Sequence, residues 1–170
     1  MITKEQVVKA QNEWAKGVIE IGSIKDDSAC KRCASDFLDD LYCFELGTVL
    51  FKPTMASLQQ FRNTKEMALS YFIGGDNSIC NEDEGYARKA WTDIKFENHN
   101  IILEGTRAIA MGNYYFQDNN SNIIKVEFTF GYQLINNQLK IDLHHSSRSY
   151  LNIPKEDCVP VLEGVSGLKF

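Results

Sequence analysis

The apolar period of the chain changes once, near Trp91, and that change limits the fold more than any motif does. Before it, apolar residues recur every three or four positions; after it, every two. Thr3-x-x-Gln6 is a capping box, and Val7, Ala10, Trp14, Val18 and Ile21 then form one helical stripe that Gly22-Ser23 stops. A second helix is predicted from Asp27 or Ser28, with Cys30, Ala34, Phe37, Leu38 and Leu41 on its apolar face. Gly47 to Phe51 reads as a short strand. Lys52-Pro53-Thr54 closes it, because proline cannot donate to a ladder and restricts the residue before it. Ser57-x-x-Gln60 predicts a helical stretch through Phe61. Asn63-x-x-Glu66 predicts another through Phe72, ended by Gly74-Gly75. Asp76 to Glu84 reads as an acidic surface loop without the ligand spacing of an EF-hand.

Beyond Trp91, Ile94 and Phe96 oppose Asp93, Lys95 and Glu97, and Asn98-His99-Asn100 is expected to turn. Strands are predicted over roughly 106–117, 123–134 and 138–149, joined by Asn/Asp-rich hairpin connections. In the middle strand Val126, Phe128, Phe130 and Tyr132 share one face, and Lys125, Glu127, Thr129 and Gln133 share the other. One packed and one wet face is the habit of an antiparallel sheet. Helices first and strands second imply an α+β class: a curved antiparallel sheet forming a cone, with the N-terminal helices packed on its concave face. Residues 1–170 are expected to be one domain, with a core of about 3–152 and an irregular tail over 153–170.

A net charge of −5 offers no basic stripe for phosphate, so nucleic acid is not the expected partner. No apolar run approaches the roughly 20 residues of a membrane span, and Met1 to Glu5 has no signal-peptide character. The five cysteines, Cys30, Cys33, Cys43, Cys80 and Cys158, read as reduced thiols. Cys30-Lys31-Arg32-Cys33 lacks the second pair that a zinc site needs.

The last strand carries the chemistry. Leu139, Ile141 and Leu143 alternate with Lys140 and Asp142, and the same parity places His145 and Ser147 on the apolar face, with His144 and Ser146 on the polar one. Such a pair lines a polar spot inside the cone, or it is a core histidine satisfied by a backbone group with Ser147 filling space. A bulge would reverse the parity. Of the three histidines, one is then left for the interior, too few for a three-histidine zinc centre. Thr54 follows the Lys52-Pro53 bend as a functional hydroxyl or a helix cap, Tyr71 ends a helix, and one of Tyr114 and Tyr115 must face inward.

Six blocks occur in order: Lys52 to Ala56, Ala68 to Gly75, Glu82 to Ala87, Ala110 to Phe116, Lys125 to Tyr132 and His144 to Ser147. Together they resemble the iota-class carbonic anhydrases of algae and bacteria, which are related to the calcium/calmodulin-dependent protein kinase II association domain. The resemblance implies a SnoaL-like, nuclear-transport-factor-like cone and reversible hydration of carbon dioxide to bicarbonate. It also implies a homodimer. The compartment is unknown from the sequence, with chloroplast and cytoplasm both open to a soluble chain, and neither nucleic acid nor membrane is an expected partner. The resemblance implies no cofactor, although manganese or zinc is described for some relatives. The catalytic roles transfer to Thr54, Tyr71, His145 and Ser147, with no metal ligand. Tyr115, Phe128 and Leu143 are the expected substrate wall. The rival expectation is a non-catalytic association module.

Overall fold

The computed structural model describes residues 1–150 apart from position 77. The predicted tail over 153–170 and Cys158 lie outside the described residues. Helices α1 (Lys4–Ser23) and α2 (Asp27–Leu41) come first, then strand β1 (Leu50–Lys52) and helix α3 (Lys65–Ile73). Strands β2 (Asp93–Glu104), β3 (Arg107–Gln117), β4 (Ile123–Ile135) and β5 (Gln138–Ser147) follow. The five-stranded sheet has the order β1-β5-β4-β3-β2, antiparallel except for β1 beside β5.

The capping box of α1 forms as predicted: Thr3 N–H donates to the Gln6 side chain at 2.9 Å, and Gln6 N–H donates to Thr3 Oγ1 at 3.3 Å. All five residues predicted for the apolar face of α2 are buried. The helices cover the concave face of the sheet, where Trp14 packs against the rings of Phe96, Tyr114, Phe116 and Phe130. An aromatic so placed is typically worth about 3–5 kcal/mol against alanine.

Two sequence expectations give way to bulges. Asn98 to Asn100 does not turn: β2 continues through it, with a register shift at His99. On β5, Ile141 pairs with Tyr132 and Leu143 with Gly131, so Asp142 is an extra residue without a partner of its own. Each bulge faces a strand-interior glycine, as a close backbone approach requires. A Cβ on Gly112 would sit 2.1 Å from Glu97 O, and one on Gly131 would sit 2.7 Å from Asp142 Oδ1 and 2.9 Å from Leu143 Cβ. Asp142 is held on the outer face by the Arg107 guanidinium and by Gln133 Nε2 at 2.7 Å.

The Ser57 box opens no helix. Ser57, Leu58 and Gln59 instead turn their N–H groups onto the Glu82 carboxylate, at 2.8, 2.9 and 2.8 Å. The acidic segment is therefore a bracket rather than a free surface loop. Arg62 is fully buried and donates to Asp83 at 2.8 Å, and Asp83 also accepts from Ser70 Oγ at 2.6 Å. The cap of α3 is Thr64, one residue after Asn63. Cys30, Cys33, Cys43 and Cys80 are free thiols. Among the described residues no helix is long and apolar enough to cross a membrane.

Candidate active site

The bulge at Asp142 decides which side chains enter the cone. Past it the parity of β5 is reversed, and His144 and Ser146 are both 2% exposed on the concave face. His145, expected inside, is exposed opposite Thr129. Ser147, also expected inside, donates to Glu127 Oε2 at 2.8 Å on the outer face. Leu143 shares that outer face with Asp142, since both crowd the side of Gly131 where a Cβ would lie. Tyr115 points outward and donates to Glu97 at 2.8 Å, so Tyr114 is the inward tyrosine. Phe128 is buried as expected and stacks on Tyr114 with centroids 5.3 Å apart. Thr54 and Tyr71 line one hollow with His144, Ser146 and Tyr114. Trp14, Phe51, Phe72 and Tyr86 complete its greasy wall.

Each group is held by its element. Phe51 of β1 stacks on the His144 imidazole at 4.6 Å, and Phe130 of β4 meets its edge at 4.1 Å. His144 Nε2 lies 2.9 Å from Ser146 Oγ, and Nδ1 lies 2.9 Å from the Tyr42 hydroxyl. The Tyr114 hydroxyl is hydrogen-bonded to Ser146 Oγ as well. Tyr71 projects from α3, accepts from Met55 N–H at 3.4 Å, and stacks on Tyr86 at 5.5 Å. Thr54 is half-buried, the member closest to solvent. Its loop is fixed from behind by Arg62 N–H, which donates to Phe51 O at 2.8 Å, and by the Glu82 bracket.

Burial sets the protonation states. It pushes His144 well below its ordinary pKa, helped by the neighbouring His145, so the imidazole is neutral near pH 7. Burial raises the Tyr114 phenol, and the hydroxyls of Ser146 and Thr54 offset part of that. Tyr71 is raised for the same first reason. The hollow thus holds neutral donors and acceptors in a dry wall.

The sequence model of the metal-independent carbonic anhydrase family matches residues 5–148. The chain belongs to the metal-independent carbonic anhydrase family. It is 34% identical over 154 residues to the metal-independent carbonic anhydrase of Nostoc sp. (strain PCC 7120), covering 88% of this chain and 75% of that protein. The crystal structure of a cyanobacterial iota-carbonic anhydrase complexed with bicarbonate superposes with a TM-score of 0.84 at 34% identity, covering 88% and 94% of the two chains. A calcium/calmodulin-dependent protein kinase II association domain from Xanthomonas campestris has the same fold, at 19% identity and a TM-score of 0.59 over 88% and 89% of the chains.

Among the described residues of this metal-independent carbonic anhydrase family member, those lining the hollow offer manganese or zinc no suitable donor set. Both His144 nitrogens are already hydrogen-bonded, and the lining holds no carboxylate or thiol. Among the described residues no three His, Cys, Asp or Glu side chains gather as a metal site would need.

Sequence reasoning missed Trp14 and Tyr42, left Tyr114 open against Tyr115, and placed His144 and Ser146 on the wrong face. One signal was present: Gly131 in the interior of an apolar strand, which marks a bulge on its neighbour.

Proposed function

We propose that the chain catalyses reversible hydration of carbon dioxide to bicarbonate in this hollow, without a metal. Membership in the metal-independent carbonic anhydrase family supports the reaction, and the convergence of Thr54, Tyr71, Tyr114, His144 and Ser146 in an otherwise aromatic cavity carries the assignment of the site. The space among them open to the centre of a water molecule is about 10 Å³. That is the room of about one water, which fits only guests as small as water or carbon dioxide.

The chemistry is addition of water across a C=O bond. A new C–O bond forms, the water loses a proton, and negative charge spreads over the carboxylate oxygens. The aromatic wall holds the uncharged gas. Tyr71 and the hydrogen-bonded Ser146–Tyr114 pair, which keeps one hydroxyl hydrogen free for a guest, orient the water and donate to the oxygens on which charge develops. Thr54, the most exposed hydroxyl of the set, passes the released proton toward solvent. Donors fixed in a dry cavity need no reorganisation as the charge appears, which is where most of the rate comes from without a metal.

The active unit is read as a homodimer paired through the outer face of the sheet, where Ile102 and Met111 are 55% and 54% exposed; sedimentation velocity tests this. Stopped-flow hydration with a pH indicator on chelator-treated protein tests the activity. Catalysis should survive chelation and disappear in a Thr54→Ala, Ser146→Ala double variant. Activity lost on chelation and restored by manganese or zinc would overturn the metal-free reading, and an unaltered rate in the double variant would overturn the site.

A further inference from the structure

The hydrogen bonds behind His144 run in one direction. An indole N–H donates and cannot accept. Trp14 Nε1 therefore donates to the Tyr42 hydroxyl oxygen, at 2.9 Å. Tyr42 is fully buried and still has its own hydrogen to place. Its remaining neighbour is His144 Nδ1 at 2.9 Å, and among the described residues no other acceptor bonds to this hydroxyl. A buried hydroxyl hydrogen left without an acceptor is costly. Tyr42 therefore donates to Nδ1, which must present a lone pair. A neutral imidazole with a bare Nδ1 carries its hydrogen on Nε2. Nε2 faces Ser146 Oγ at 2.9 Å and the Tyr114 hydroxyl at 3.5 Å.

We propose that Trp14 and Tyr42 are positioning residues that lock His144 as its Nε2–H tautomer, so that His144 donates a hydrogen bond to Ser146 rather than taking a proton from it. This deepens the proposed hydration reading by giving His144 the role of fixed donor in place of general base. Ser146 Oγ, with one lone pair engaged by the imidazole, is left to turn its own hydrogen toward Tyr114 or toward the oxygen of a guest. A proton could join His144 only at Nδ1, on the side away from the hollow. There it would meet Tyr42 and then the Trp14 nitrogen, which has no lone pair with which to carry it further. The path is closed, so protons leave on the Thr54 side. The titratable groups facing the imidazole are the phenols of Tyr42 and Tyr114, and no carboxylate hydrogen-bonds to it.

The test is imidazole ¹⁵N NMR on protein in which the exposed His99 and His145 are replaced by Gln, leaving a single histidine signal. That signal should show the Nε2–H tautomer and no titration between pH 6 and 8. In Tyr42→Phe, Nδ1 loses its donor. Both tautomers should then appear, and kcat should fall about tenfold with KM little changed, the effect of one lost hydrogen bond. An Nδ1–H or charged imidazole in the parent protein overturns the proposal and needs no folded Tyr42 variant to do so. An unchanged tautomer in a folded Tyr42→Phe protein overturns it as well. The spectrum decides the tautomer whether or not carbon dioxide is hydrated, so failure of the lock and failure of the activity are told apart.

Discussion

The two faces of the last strand carry the same residue types in opposite circumstances. His144 and Ser146 lie among Phe51, Phe130, Trp14 and Tyr114 on the concave side, while His145 and Ser147 lie on the outer side, the serine bonded to Glu127. Composition cannot tell the pairs apart. One unpaired residue, Asp142, does so by exchanging the faces of everything after it. An active site built on a strand end is therefore specified as much by backbone register as by side-chain identity.

That contrast can be broken by substitution. Ser146→Ala should lower carbon dioxide hydration by about 10²–10³-fold, the usual cost of removing one donor aimed at developing charge. Ser147→Ala should leave the rate within about twofold; stopped-flow traces showing the reverse ranking would falsify the face assignment. Gly131→Val should cost about 1–3 kcal/mol by overpacking, because its side chain would occupy the space taken by Asp142 and Leu143. Urea titration measures this, and no change in midpoint would mean that the bulge is not tied to the glycine.

Glu82→Gln sharpens a second contrast, between the fixed Thr54 loop and an unbracketed one. Backbone N–H donors at Leu58, Ser57 and Gln59 hold the carboxyl far below the usual carboxylate range. A neutral amide accepts from them more weakly, and stability should fall by about 1–2 kcal/mol. A thermal melt superimposable on the parent curve would show the bracket to be idle.

The smallest effect is in pH. The folded pKa of His144 lies below its unfolded value of about 6.5. The unfolded chain therefore binds more protons as the solution acidifies, and stability rises with pH in that window. The contribution is fully present above pH 6.5 and is lost as pH falls from there toward the folded pKa. His144→Asn should flatten the acid slope of the melting temperature between pH 6.5 and 5. An unchanged slope in that variant would deny the depressed imidazole of His144.

The first two helices and the meander of the last three strands could be read from the sequence because both rest on periodic burial: the Thr3–Gln6 box and the Cys30 to Leu41 face are local patterns. The parallel pairing of β1 with β5 could not. The β5 parity was not legible, since a bulge changes the backbone count without altering the apolar alternation that leads up to it. Asp142 is polar and faces outward on either reading, so it gives no warning; only Gly131, on another strand, does. Ser57 misled for a related reason. Its hydrogen bonds go to Glu82, 25 residues along the chain, instead of to a helix of its own. Thr54 and Tyr71 could be found through the family resemblance. Trp14 and Tyr42 could not, because a tryptophan on an apolar helical stripe looks like core until its N–H is seen to have a destination.

The small hollow has a pharmacological consequence. Ring-bearing blockers would have to unstack Tyr71 from Tyr86 or pry Phe51 off His144 before they found room. Compounds that silence this enzyme should instead be no larger than its own substrate and product, and libraries of larger scaffolds should return nothing from it.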